Sequence, residues 1–107
     1  MAWQKICSQE QLVENSGICA LVEEHQIAVF YLPQQEPQLY AIGNWDPVGK
    51  ANVLSRGIVG SIDQTLVVAS PLYKHHFCLL SGDCLEQEVS VPTYPIKLIG
   101  EDVSIAI

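Results

Sequence analysis

The apolar residues of this chain fall in short runs, each closed within a few residues by a turn-forming cluster. No run is long or periodic enough for a helix of more than two turns. Short runs rich in valine, isoleucine, tyrosine and phenylalanine read as strands. The first spans Trp3 to Cys7. Ser8 then reads as a helix cap with Gln11 three residues on, and this turn is expected to end by Gly17. Further strands are predicted at Ile18 to Val22 and His25 to Leu32, around a Glu23-Glu24 turn, and at Leu39 to Ile42 after a loop bracketed by Pro33 and Pro37. Gly57 to Ser61 and Thr65 to Ala69 flank an Asp63-Gln64 turn. His76 to Leu80 precedes the tight turn Ser81-Gly82-Asp83. Val91 to Ile99 contains Pro92 and Pro95, which predicts an edge or irregular strand. Val103, Ile105 and Ile107 alternate and are expected on one face of the last strand. The fold class that follows is all-β: about nine short antiparallel strands in a small sandwich or partial barrel.

Length and composition narrow the class further. A chain of 107 residues has room for one core and is expected to form a single domain over residues 1–107. Hydrophobic residues make up 49% and charged residues 16%, which excludes a disordered chain. Five Lys and Arg stand against twelve Asp and Glu, a net charge of −7. That sign argues against binding nucleic acid, whose phosphates need cations, and against docking on an anionic membrane. No apolar stretch approaches the ~20 residues that span a bilayer. No basic region followed by an apolar run opens the chain, so a cytoplasmic location is expected. Cys7, Cys19, Cys78 and Cys84 form no CxxC and are expected to stay reduced there.

Two segments break the strand rhythm. Residues 43–56 read GNWDPVGKANVLSR, and residues 70–77 read SPLYKHHF. Both carry the proline, glycine and aromatic content of structured loops. Together they resemble the two ligand loops of Rieske-type iron–sulfur domains. That family places Cys-x-His on one loop and Cys-x-x-His on the other, two thiolates on one iron and two imidazoles on the second. Here Asp46 and Val48 stand at the first pair of positions, Ser70 and Tyr73 at the second. Asn44, Pro47, Pro71, Phe77 and Gly82 fit the surrounding pattern. All four ligands are replaced. Val48 has no donor atom, and Ser70 and Tyr73 offer hard oxygens. The resemblance therefore implies a Rieske-like fold with no cluster at its vestigial site. Asp46 and Ser70 are expected to tie the loops by hydrogen bonds, with Val48, Leu72 and Tyr73 packed where a cluster would sit.

Over nearly its full length the chain is similar to a narrower family, the small subunits of bacterial assimilatory NAD(P)H-dependent nitrite reductases. The most specific segments are Asp46-Pro47, residues 51–57 (ANVLSRG) and residues 69–74 (ASPLYK), supported by Trp3 to Cys7 and residues 17–21 (GICAL). Missing cluster ligands are typical of that branch. The resemblance implies a non-catalytic subunit, in the cytoplasm, of an enzyme that reduces nitrite to ammonium. Its partner would be a large subunit carrying sirohaem, FAD and an iron–sulfur cluster and drawing electrons from NAD(P)H. No cofactor is expected in this chain. Two other readings stay open on sequence alone: a stand-alone Rieske-type electron carrier, and a scaffold or binding module.

No residue reads as catalytic or metal-binding. No glycine-rich phosphate loop joins a strand to a helix, and no nucleophile elbow supports a triad from Asp46, Ser55, Ser70 and His75. His75, His76, Cys78 and Cys84 have zinc-type side chains, but alternation separates His75 from the others and no compact zinc spacing results. Six residues are candidates for partner contact: Trp45, Lys50, Arg56, Lys74, His75 and His76. Each has a structural alternative. Trp45 packs over its loop base, Arg56 pairs with Asp46 or another loop acid, and the 74–76 patch is a solvated cationic cluster.

Overall fold

The computed structural model describes residues 2–107, and eleven strands run through them. The middle of the molecule is set by β3 (His25–Tyr31), whose residues Ile27 to Phe30 are all buried. Alternation explains this double burial. Ala28 and Phe30 enter one hydrophobic cluster, while Ile27 and Val29 enter another. β4 (Leu39–Gly43) repeats the pattern, with Tyr40 and Ile42 on the first side and Ala41 on the second. With β2 (Ser16–Val22) these strands form a middle sheet in the order β2-β3-β4.

An outer sheet covers each face. On one side lies β1-β11-β10, from β1 (Trp3–Ser8), β10 (Ile96–Ile99) and β11 (Asp102–Ala106). Ile105, Ile6, Ile96 and Ile107 close the second cluster from there. On the other side lies β7-β8-β9, from β7 (Ile58–Ile62), β8 (Thr65–Ala69) and β9 (His76–Cys78). Val68 and Phe77 contribute to the first cluster together with Leu54, Leu79 and Val91. All pairings between these strands are antiparallel, an isolated bridge between Glu14 and Tyr31 is parallel, and no sheet closes into a barrel. No helix among the described residues is long and apolar enough to cross a membrane.

The hairpin turns stand where expected. Glu23 and Glu24 take φ of 47° and 70°, Asp63 and Gln64 take 49° and 69°, so both two-residue turns have positive φ at their two central residues. Gln11 Oε1 accepts the Ser8 backbone N–H at 2.9 Å, which starts the short 3-10 turn Gln9–Gln11. That turn ends at Gln11 rather than at Gly17. Asn15, at φ 59°, redirects the chain into β2. Gly17 has a different reason to be glycine: a Cβ there would lie 2.7 Å from both the Phe30 ring and the Ser55 carbonyl oxygen.

Three strands are shorter or more covered than their patterns imply. The run from His76 stops at Cys78, where the Cys78 carbonyl accepts the Gly82 N–H at 2.8 Å and turns the chain. Pro92 and Pro95 hold residues 91–95 to isolated bonds along the outer edge of β4, Gly43 N–H to Pro92 O at 2.8 Å and Tyr94 N–H to Ala41 O at 2.9 Å. Only Ile96–Ile99 pairs as a strand. In β11 the alternation gives no exposed face: Ser104 and Ala106 are buried along with Val103 and Ile105.

Candidate site at the two loops

The first loop is ordered by its own short strands. β5 (Trp45–Asp46) pairs with β6 (Ala51–Asn52), and a 3-10 turn, Leu54–Arg56, follows. Asn44, almost fully buried, ties these pieces together. Its side-chain oxygen accepts the Ser55 N–H at 2.7 Å, and its amide nitrogen donates to Gln26 Oε1 at 3.3 Å. Pro47 and the Lys50 N–H to Asp46 O bond of 2.7 Å shape the bend between β5 and β6.

Asp46 is wholly buried, and its carboxylate is the centre of the site. One oxygen, Oδ1, accepts the backbone N–H groups of Val48 and Gly49 at 2.8 and 3.0 Å. The other, Oδ2, accepts the Ser70 hydroxyl at 2.5 Å. Ser70 is itself 1% exposed, and its Oγ accepts the Leu72 N–H at 3.2 Å. The Ser70 N–H donates to His75 O at 2.9 Å and closes the second loop on itself. A buried carboxylate is tolerated only when its lone pairs are matched by donors, and these three donors do that. The expected tie between the loops is thus formed by the expected pair.

The loops also touch. A Cβ on Gly49 would lie 2.9 Å from both Leu72 Cβ and Asp46 Oδ2, so Leu72 of the second loop rests on the bare backbone of the first. Gly49 is a site residue that the strand and motif reading passed over; its signal was a glycine directly after the Asp-Pro-Val run. Val48 is half-buried against the first cluster. Tyr73 departs from expectation. At φ 57°, next to Lys74 at 57°, it turns outward and is 76% exposed. The Lys74 N–H to Leu72 O bond of 2.7 Å makes this turn local, so the phenol never reaches Val48.

These residues do not fit a 2Fe-2S cluster. The two cysteine positions hold a carboxylate and the hydroxyl that donates a hydrogen bond to it. The two histidine positions hold an aliphatic side chain and a phenol facing solvent. Leu72 against Gly49 fills the space between. Among the described residues no group of three or more His, Cys, Asp or Glu is disposed to hold a metal ion.

The remaining candidates separate. Trp45 is 49% exposed and rims a cleft of about 260 Å³ shared with Pro47, Asn52, Pro92 and Tyr94. Lys50, Arg56 and Lys74 are exposed. Arg56 does not pair with Asp46, whose oxygens are buried and already matched. The only ion pairs among the described residues are Lys5–Asp102 and His76–Glu86. His76 is held by Glu86, which accepts its backbone N–H at 2.8 Å and meets its Nδ1 at 2.7 Å. The His76 N–H, then burial opposing it, then the imidazole leave the Glu86 carboxyl below its ordinary value. His75 is half-buried, with Nδ1 enclosed and lacking a partner. Of the 74–76 patch, Lys74 is exposed and the two histidines are half-buried. Glu86, ten residues beyond His76, left no mark in the local pattern.

The model of the Rieske-like 2Fe-2S domain family matches residues 2–106. The chain belongs to this family. Within the Rieske-like family its relatives are specific. It is 43% identical to the nitrite reductase (NADH) small subunit of Salmonella typhimurium, over 90% of this chain and 89% of that one. A solution structure of the NAD(P)H nitrite reductase small subunit from Erwinia carotovora superposes with a TM-score of 0.80, at 45% identity, covering 98% of this chain and 81% of that one. The NAD(P)H nitrite reductase large subunit of Klebsiella oxytoca contains a segment 39% identical to 90% of this chain, which is 10% of that longer protein. The chain is thus a Rieske-like member of the nitrite reductase small-subunit branch.

Proposed function

We propose that this chain is the non-catalytic small subunit of a cytoplasmic NAD(P)H-dependent nitrite reductase, the enzyme that converts nitrite to ammonium. The near end-to-end similarity, at 43% identity, to a small subunit of that enzyme carries the reading. Sirohaem, FAD, an iron–sulfur cluster and the NAD(P)H site belong, in this reading, to the large subunit. The Klebsiella protein supports the choice of partner, because there a segment like this chain is part of the large-subunit polypeptide itself. A covalent link keeps two domains at high effective concentration, which is the behaviour of domains that work in contact.

The chain acts as one unit, residues 1–107, and meets its partner with the loop end. Trp45, Lys50, Arg56, Lys74, His75 and His76 are the proposed contact residues. Trp45 is the anchor among them, since an exposed indole on the rim of a cleft belongs to the residue type most enriched among interface hot spots. Co-purification with the cofactor-loaded large subunit, with NADH-dependent nitrite reduction measured with and without this chain, tests the assignment. Association and dependence of activity on the chain are expected. A folded, loaded large subunit that neither binds the chain nor responds to it refutes the reading. In the same assay Trp45→Ala is expected to weaken binding by about 30-fold, the weight of a hot-spot residue, while leaving the melting temperature of the free chain nearly unchanged. Unaltered affinity removes Trp45 from the interface.

A further inference from the structure

We propose that the loop end is a cationic docking face that seats on an acidic surface of the large subunit, with Trp45 and Tyr73 supplying the apolar contact. The inference rests on the subunit reading above and adds the chemistry of the surface the partner must present.

The charge of the molecule is divided unevenly. Only five Lys and Arg occur in the chain, against twelve Asp and Glu. Three of the five, Lys50, Arg56 and Lys74, lie in the loops 43–56 and 70–77, and all three are exposed. Those loops contain a single acid, Asp46, which is buried with Ser70 and two backbone N–H groups on its oxygens. None of the three cations takes part in an ion pair among the described residues. The other two cations are committed elsewhere. Lys5 pairs with Asp102 at 3.2 Å, and Lys97 lies over the Trp3 ring at 4.0 Å. Of the remaining eleven acids, all outside these two loops, Asp102 pairs with Lys5 and Glu86 is held by His76. A strongly acidic protein thus turns a cationic end outward.

The loop contacts place these charges together. The Asp46–Ser70 bond and the Gly49–Leu72 contact join the loops one residue from Lys50 and two from Lys74. Gly57, beside Arg56, approaches the Ala69 carbonyl so closely that a Cβ would clash, which sets Arg56 near the root of the second loop. Trp45 at 49% and Tyr73 at 76% exposure add two large rings to the same end. A face of rings and unpaired cations fits a partner surface with carboxylates around an apolar recess. The opposed charge of the body orients the molecule as it approaches and speeds encounter at low salt.

The test is association kinetics with the cofactor-loaded large subunit across NaCl concentration. The wild-type rate constant is expected to fall about tenfold or more from low to high salt. The double variant Lys50→Glu with Lys74→Glu should lose at least about tenfold at low salt and show a flattened salt dependence. The control, Lys5→Glu with Lys97→Glu, changes net charge equally on the body and should stay within about threefold of wild type. Equal slowing by both pairs would mean that net charge alone acts, and overturns the proposal. So does a complex indifferent to the loop pair, or a loop pair that raises the KM for nitrite without touching association; in both cases the subunit reading stands. Absence of any complex at every salt concentration removes the subunit reading, and this inference with it.

Discussion

Ser70→Ala should destabilise the chain by about 3 kcal/mol, because it takes the hydroxyl from Asp46 and leaves one oxygen of a fully buried carboxylate without a donor. Hydrogen bonds to charged groups are worth about 1.5–3 kcal/mol, and an orphaned buried acceptor adds to the loss. The Leu72 N–H loses its acceptor too, but it is only partly buried and water can replace it. An unfolding entropy of about 2.1 cal/mol/K per residue over 107 residues converts the loss to about 13 °C in Tm. Urea and thermal unfolding followed by Trp fluorescence measure it, with Trp45 reporting from the affected loop. Asp46→Asn keeps the shape and an acceptor for the Val48 and Gly49 N–H groups, so about 1–1.5 kcal/mol is expected there. A double-mutant cycle over Asp46→Ala and Ser70→Ala should give a coupling of at least about 1 kcal/mol. A Ser70→Ala cost under about 0.5 kcal/mol, the level of an ordinary surface change, would refute the reasoning that this bond holds the loops.

Three further outcomes are expected. Gly49→Ala should cost about 1–3 kcal/mol, since the added methyl meets Leu72 and Asp46 at 2.9 Å, and urea unfolding reads it. The Glu86 carboxyl lies below its ordinary value in the folded chain, so its contribution is full above the unfolded value near 4.5 and fades as pH falls through the lower folded one. The stability gap between wild type and Glu86→Gln should therefore be open at pH 7 and narrow progressively as pH falls below about 4.5. At Cys78, burial pushes the thiol up, but hydrogen bonds from the Ser81 hydroxyl and the Ser81 and Leu80 N–H groups outweigh it and leave the thiol low. Ser81→Ala should slow iodoacetamide labelling of Cys78 at pH 8, measured by peptide mass spectrometry; an unchanged rate dismisses the Ser81 contact.

Local signals were legible where one physical rule acts alone. Two-residue turns at Glu23-Glu24 and Asp63-Gln64 follow from hairpin spacing, and β8 follows from its β-branched run. The Asp46–Ser70 tie was legible because a carboxylate and a hydroxyl replace two residues that must lie close together in the parent architecture. What needed the structure depends on contacts between distant segments or on backbone torsions. The unbroken apolar run of β3 marks a strand, but only the packing of two sheets shows that it divides two clusters. Strands of two residues, β5 and β6, are too short for periodicity to register. Tyr73 faces solvent because of a left-handed φ that nothing in its side chain announces. His76 finds Glu86 across ten residues of irregular chain.

The bond between Asp46 and Ser70 has a consequence for how this domain is made. A loop pair held by a metal cluster is finished only when iron and sulfide have been delivered, and oxygen or reductant can undo it. Here both halves of the tie arrive with the polypeptide. The loops can close as soon as the chain folds, whatever the iron supply of the cell, and a change of redox state has nothing there to remove. The same exchange takes away a possible sensor: a tie of oxygen and hydrogen does not register the oxidation state of its surroundings.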